Sequence, residues 1–361
     1  MTRHADDAPS TAAAAADADL HLHGDELARG ARDDLAVNVL AGGPPPWLRA
    51  AVAAALADLG AYPDEADAIA AVAERHGRST QEVVLLNGAS QAFWLAAALG
   101  PRRPVCVHPS FTEPEVALRA ARRPPRRVVL DAPWELRAGD VPEDADLVVV
   151  GNPTNPTGVL HRRHVLAALC RPGRVTLVDE SFMDFVPGEP ETLAAERELP
   201  GLVVARSLTK LHAIPGLRAG YLLAPVPLAA RLRAQRPAWS VNALALAAIQ
   251  AIAAHPEHAE AIALDTAGRR ADLVARLTEV PGATVHPAVA NFVLVRIAGG
   301  DTAAQRLREQ GIAVRPCASF PGLTADHIRV TVRDPGAHER VAAALRGAQP
   351  DAIRRSLASM R

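Results

Sequence analysis

The sequence is almost without lysine. Its 39 basic residues are 38 arginines and one lysine, Lys210. Where only charge matters, Arg serves as well as Lys. A lone Lys marks a position that an always-protonated guanidinium cannot fill, such as an amine nucleophile. Chance survival of one surface lysine is the other explanation, and the count alone does not separate the two. Cysteine is scarce as well. Cys106, Cys170 and Cys317 are few, odd in number and far apart. That excludes a disulfide framework and a zinc ribbon, and it fits a reducing cytoplasm. Aromatics make up 3% of 361 residues while 49% are apolar, so Ala, Val and Leu must fill the core. No run approaches the roughly 18 apolar residues of a membrane span. With 39 basic against 40 acidic residues the net charge is −1, which gives no ground for a nucleic-acid or acidic-membrane partner.

Other absences narrow the field further. Residues 1–20 are Ala- and Asp-rich and lack a basic stretch leading into an apolar one. They read as a disordered extension rather than a secretory signal. His21 with His23, and His161 with His164, have no nearby Cys and no convincing third ligand, so no metal site is expected. There is no G-x-G-x-x-G after a strand and no G-x-x-x-x-G-K-[ST], so a nucleotide cofactor has no motif.

What is present is alternation. Short apolar runs recur at Val83–Leu86, Val105–Val107, Val128–Leu130, Leu147–Val150, Val175–Val178, Leu202–Val204 and Tyr221–Leu223. Each is apolar on both faces, as in strands of a mostly parallel sheet covered on both sides. Amphipathic helical segments lie between them, including Gln91–Leu99, Glu113–Ala121 and Arg163–Leu169. The expected fold is α/β: a large domain with a sheet of about seven strands sandwiched by helices, plus a small α/β C-terminal domain. The expected division is residues 21–59 for an N-terminal arm and helix, 60–240 for the large domain, and 241–361 for an interdomain helix and the small domain. The helical stretch Val241–Leu277 is expected to bridge the two. Strands are expected at Asn291–Arg296, Ile312–Arg315 and His327–Arg333, and a helix at Pro335–Arg346.

In an open α/β sheet, ligands bind beyond the carboxyl ends of the strands. Gly88-Ala89-Ser90 follows the first run and opens a helix, leaving N–H groups and a hydroxyl for an anion. Phe111 follows the second run. A turn-rich loop, Gly151 to Gly158, follows the fourth and carries Asn155. Asp179 follows the fifth, and Ser207-Leu208-Thr209-Lys210 the sixth, with Arg218 eight residues later. Singly, Asp179 reads as a helix cap, Phe111 as core, and Ser207 and Asn155 as turn residues. Together they supply an anion nest, a flat ring, an amide, an acid and the one amine. Pyridoxal 5'-phosphate needs that set: a Lys for its Schiff base, an acid for its ring nitrogen, an anion site for its phosphate, and a flat neighbour.

At these residues the chain resembles the fold-type I pyridoxal-phosphate enzymes, the class I/II aminotransferase superfamily. Asn152-Pro153-Thr154-Asn155-Pro156-Thr157-Gly158 is similar to its N-P-x-N-P-T-G loop, and Asp179-Glu180 to its D-E pair. Ser207 to Lys210 with Gly216 to Tyr221 resembles S-x-[ST]-K…G-L-R-x-G-[YF], and Tyr62-Pro63-Asp64 resembles Y-P-D. The resemblance implies Lys210 as the Schiff-base lysine, Asn155 on the cofactor's phenolic oxygen and Asp179 on its ring nitrogen. It implies Ser207 and Arg218 on the phosphate, and a homodimer in which Tyr62 reaches the neighbouring active site. Arg315 and Arg329, on successive C-terminal strands, resemble the family's substrate-anion arginines.

Two branches are similar: histidinol-phosphate aminotransferase and threonine-phosphate decarboxylase of cobalamin synthesis. Three features tilt toward the decarboxylase. Asp179 to Phe185 is similar to its D-E-A-F-I-D-F, with Phe182 where the aminotransferase usually has Tyr. Ser207 to Tyr221 resembles its S-L-T-K-x-x-A-I-P-G-L-R-x-G-Y. His23-Gly24 and Asn38 before the Gly42-Gly43-Pro44 loop resemble its H-G-G…N-x-N-P-x-G-P, though the second Asn and first Pro are missing here. That makes His23 and Asn38 candidate substrate contacts. The expected activity is decarboxylation of L-threonine O-3-phosphate. The alternatives are an aminotransferase of the histidinol-phosphate type and a non-catalytic fold that binds the cofactor.

Overall fold

The computed structural model describes residues 20–22 and 24–348. The expected extension falls outside them except for Leu20. Alternate residues of each strand point to opposite faces, and here both faces are apolar, so both must be covered. Seven strands do this: β2 (Val83–Asn87), β3 (Pro104–His108), β4 (Arg126–Val129), β5 (Leu147–Gly151), β6 (Val175–Asp179), β7 (Leu202–Ser207) and β8 (Ala219–Leu223), after a short β1 (Asp33–Asp34). Their order across the sheet is β2-β8-β7-β6-β5-β3-β4. Strands β3 to β7 pair in parallel with one another and with β4, while β8 runs antiparallel to both β2 and β7.

The helices are α1 (Gly24–Ala28), α2 (Pro46–Ala54), α3 (Ala66–Arg75), α4 (Gln91–Ala98), α5 (Glu113–Ala120), α6 (Arg163–Leu169), α7 (Val226–Ala234), α8 (Ala243–Ala253), α9 (Pro256–Thr278), α10 (Gly300–Glu309) and α11 (Pro335–Ala348). One face of the sheet offers Val83, Leu85, Val105, Val148, Val178 and Val204, which pack with buried residues of α3, α6 and α8. The other offers Val84, Leu86, Cys106, Val149, Leu177 and Val203, packed with α4, α5 and α7.

The stretch expected as one helix from Val241 to Leu277 is two. Pro256 has no N–H to give an earlier carbonyl, so α8 stops at Ala253 and α9 begins at the proline itself. Asn242 caps α8 by accepting the Ala245 N–H at 2.9 Å.

Past α9, β9 (Thr284–Val285), β10 (Phe292–Arg296), β12 (Arg315–Pro316) and β13 (His327–Thr331) form an antiparallel sheet in the order β12-β13-β10-β9. The run expected as one strand, Ile312–Arg315, is split. Its first half, β11 (Ile312–Ala313), pairs in parallel with β1, and its second half pairs with β13. Arg333 donates to the carbonyls of Asp34, Val37 and Val39, and Arg340 forks onto the Asp33 carboxylate at 2.6 and 2.8 Å. The N-terminal arm is thereby fastened to the C-terminal sheet and runs past the carboxyl ends of the large sheet.

Candidate active site

The carboxyl ends of β2, β3, β5, β6 and β7 border one cavity of about 480 Å³. Its wall includes Ala89, Ser90, Phe111, Asn155, Asp179, Phe182, Ser207, Lys210 and Arg218, joined by Asn38 and Arg329. Eleven residues named from sequence therefore meet in one place.

One end of the cavity is an anion cradle. Gly88 has φ +79°, and a Cβ there would collide with the Arg218 guanidinium, 2.7 Å from its Cζ. The glycine lets the arginine close over the loop. A Cβ on Gly220 would lie 2.8 Å from the Ala89 nitrogen, so this strand also needs the smallest residue. The N–H groups of Ala89 and Ser90 have no partner among the described residues. Ser90 Oγ does not cap its own helix and lies 3.4 Å from Arg218 Nη2. The Ser207 and Thr209 hydroxyls are 2.9 Å apart beside them. Free N–H groups at the start of α4, hydroxyls and a guanidinium make a donor set suited to a phosphate.

Opposite charges face one another in the middle. Burial, reinforced by the nearby Arg218 and opposed by Asp179, pushes the Lys210 amine from 10.5 down to about 8. Burial pushes Asp179 upward, against the two hydrogen bonds that its Oδ1 accepts from Ser181, from N–H at 3.1 Å and from Oγ–H at 2.5 Å. Asn155 Oδ1 accepts from Arg329 Nη1 at 2.5 Å. That fixes the amide, whose Nδ2 has no partner among the described residues. The loop carrying it is pinned from behind. Thr154 Oγ1 donates to the Gly151 carbonyl at 2.7 Å, His161 Nε2 lies 3.2 Å from the same hydroxyl, and the His161 N–H donates to Asn152 Oδ1 at 2.8 Å.

At the far end Arg329 is buried. It donates to Ala36 O at 2.5 Å, lies 5.3 Å from the Phe292 ring centroid, and keeps a buried Nε without a partner among the described residues. Burial pushes it down to about 9, still charged at neutral pH. Arg315 pairs directly with Arg329 in the β12–β13 register. It donates to Leu22 O at 2.7 Å and Ser319 Oγ at 2.9 Å, its Nη1 is unpartnered among the described residues, and it does not line the cavity.

Asn38, Tyr62 and His23 remain among the sequence candidates. Asn38 lines the wall, yet its Oδ1 accepts from Thr331 and its carbonyl from Asn291. Tyr62 is 76% exposed, outside the cavity, and stacked on Trp239 at 4.5 Å. His23 lies outside the described residues. The sequence reading missed Asp25, Val37, Val39, Glu113, Ser181 and Thr209 in the wall. Ser181 and Thr209 sit inside the motifs already singled out, whereas Asp25, Val37 and Val39 arrive with the arm and leave no local signal.

The model of the family described as aminotransferase class I and II matches residues 33–345. The chain belongs to this family. A histidinol-phosphate aminotransferase of Mycobacterium bovis is 47% identical over 317 residues, covering 86% of each chain. A threonine-phosphate decarboxylase of Salmonella typhimurium is 36% identical over 294 residues, covering 76% of this chain and 79% of its own. The crystal structure of the histidinol-phosphate aminotransferase from Clostridium acetobutylicum superposes with a TM-score of 0.82 at 25% identity, over 87% of this chain and 98% of that one. The chain is accordingly a pyridoxal-phosphate-dependent enzyme, in a family that holds both aminotransferases and decarboxylases. The cradle, the free amide donor and the facing amine and acid fit that cofactor.

Proposed function

We propose that this enzyme decarboxylates a small phosphorylated amino acid, L-threonine O-3-phosphate. The observation that carries the reading is Arg329, buried in the cavity wall with an unpartnered Nε among the described residues, and Arg315 registered opposite it just behind that wall. Two guanidinium groups side by side suit a phosphate monoester. With the phosphate held there, the substrate's carboxylate would be left free to be the group that leaves Cα.

The cofactor, when bound, supplies an electron sink for the pair left by a breaking Cα bond. The chain's own residues do the rest. Ala89, Ser90, Ser207 and Arg218 hold the phosphate of the cofactor. Asp179 would hold the proton on its ring nitrogen, and Asn155 Nδ2 would donate to its phenolic oxygen, to which Phe182 brings no hydroxyl. Phe111 and Phe182 keep water from the ring. Lys210 returns a proton to Cα as carbon dioxide leaves. The protein decides which bond breaks by placing the substrate's anions. The same proposal includes a homodimer in which Tyr62 reaches the neighbouring site. The exposed Tyr62–Trp239 stack and the exposed Leu56 and Leu59 support it.

A second reading is favoured by the 47% identical relative named as an aminotransferase. There the Cα–H bond is presented, and Lys210 removes a proton from Cα instead of delivering one.

One incubation separates the two. The cofactor-loaded protein is given threonine phosphate without a keto acid, and carbon dioxide and the cofactor's form are followed together. Carbon dioxide with the cofactor still in its pyridoxal form is the expected result. Conversion to the pyridoxamine form without carbon dioxide transfers the reading to aminotransferase. A protein that does neither, with threonine phosphate or histidinol phosphate, acts on another amino substrate, and both readings fall.

A further inference from the structure

We propose that Arg206 is a positioning residue: with Glu180, Asp184, Glu189 and Thr192 it forms a buried clamp on the reverse side of the cavity, fixing the strand ends that carry Asp179 and Lys210. The proposal rests on the reading that those two residues hold the cofactor.

Arg206 is the bulkiest of the fully buried side chains. It precedes Ser207 on β7, so strand alternation turns it away from the cavity that Ser207 lines. Its Nε lies 2.9 Å from Glu180 Oε2. Its Nη1 donates to Asp184 Oδ1 at 2.7 Å and to Glu189 Oε1 at 3.2 Å, and its Nη2 to Thr192 Oγ1 at 2.9 Å and to Glu189 Oε2. Glu180 in turn accepts the Thr192 hydroxyl and the Leu193 N–H, both at 2.7 Å. Glu180 is the residue after Asp179. One guanidinium thus joins the end of β6, the segment 181–193 and the end of β7. On β8, Tyr221 sits opposite Arg206 in register and its hydroxyl lies 2.8 Å from His76 Nε2.

The charges around the clamp can be counted. Three carboxylates surround one guanidinium, and Arg75, at the end of α3, adds a second positive charge close to Asp184 and Glu189. His76 is held neutral by burial and by Arg206. Burial raises Asp184, while Arg206 holds Glu189 low. A buried network of ion pairs and hydrogen bonds fixes geometry, whereas apolar residues of similar volume would serve packing as well or better. The placement of this network, one residue from the carboxylate and four from the amine, gives it a role in the cavity. A small displacement of β6 carries Asp179 with it.

The experiment compares R206K and T192V with R174K in the full-length protein. Arg174 is also buried, but it lies just before the opposite end of β6 and is held by four backbone carbonyls. For each variant, cofactor affinity, the pH midpoint of the bound cofactor's absorbance, and the Tm of the cofactor-free protein are measured. R206K is expected to weaken cofactor binding by about ten-fold or more and to displace the midpoint, as misplaced reacting groups do. T192V does both to a smaller extent. R174K lowers Tm and changes neither. If both clamp variants lower Tm while affinity and midpoint stay at the wild-type values, the clamp is merely structural and the proposal falls. Should R206K fail to fold, T192V decides by the same two readouts. A wild-type protein showing no cofactor absorbance that depends on Lys210 overturns the cofactor reading itself, a result distinct from failure of the clamp.

Discussion

Lys210 is the residue proposed to react with the cofactor, and its surroundings set its pH behaviour. Burial and Arg218 lower its amine from 10.5 to about 8. Only the neutral amine attacks an aldehyde. The rate at which cofactor-free protein captures pyridoxal, the form without phosphate, is expected to climb to about pH 8 and then level off. An ordinary lysine would keep climbing to about 10.5. R218Q removes a positive neighbour, so the levelling point moves upward. K210A captures nothing. Stopped-flow absorbance across pH checks all three, and a wild-type rate still rising at pH 10 would refute the assignment of a perturbed amine.

Among the elements, the turn between β2 and α4 carries the steric demand that bears on the anion cradle. Gly88 sits at φ +79° with the Arg218 guanidinium where a side chain would be. G88A therefore has two costs: about 1–2 kcal/mol of left-handed strain, and a displaced Arg218. The expected outcome is a cofactor affinity reduced roughly ten-fold or more, equivalent to about 1.4 kcal/mol. Titration of the cofactor-free variant with pyridoxal phosphate measures it. G30A is the matched control: Gly30 also has a positive φ, but nothing lies within 4 Å of its would-be Cβ, so the cofactor affinity should stay unchanged. Equal losses in both variants would show that strain, not Arg218, decides the result.

At the scale of the whole molecule, the site is shared between the large sheet and an arm that the C-terminal sheet holds down. Arg333 alone contacts three arm carbonyls. R333A should loosen the stretch containing Val37 to Val39, which lines the cavity and keeps its ties to Asn291 and Thr331, while leaving the cradle and Lys210 in place. KM for the phosphorylated substrate is expected to rise several-fold with an unchanged cofactor spectrum. Thermal stability is expected to fall by about 1–3 kcal/mol for the lost charged hydrogen bonds. Loss of cofactor together with substrate affinity would show instead that the arm supports the cradle.

The strand runs, their order along the chain and the motif residues at their ends were legible without coordinates. Hydrophobic periodicity and turn chemistry are local properties, and the cofactor chemistry demands particular residue types at strand ends. Lys210, Asp179, Asn155, Ser207 and Arg218 were readable for that reason. Other features rest on contacts between distant segments. The break at Pro256 is marked by a residue that ends a helix whatever the apolar periodicity around it suggests. The splitting of Ile312–Arg315 between two sheets depends on Asp33 and Asp34, almost 280 residues earlier. The clamp around Arg206, the pinning of Asn155 by Arg329 and the arrival of Asp25 and Val37 in the wall leave no pattern in the chain. Each joins segments whose proximity is set by how the sheets and arm pack. Sequence by itself determined the strands and the reactive groups at their ends. Tertiary structure decided which distant groups surround them, because burial and charge neighbours exist only once the chain has folded.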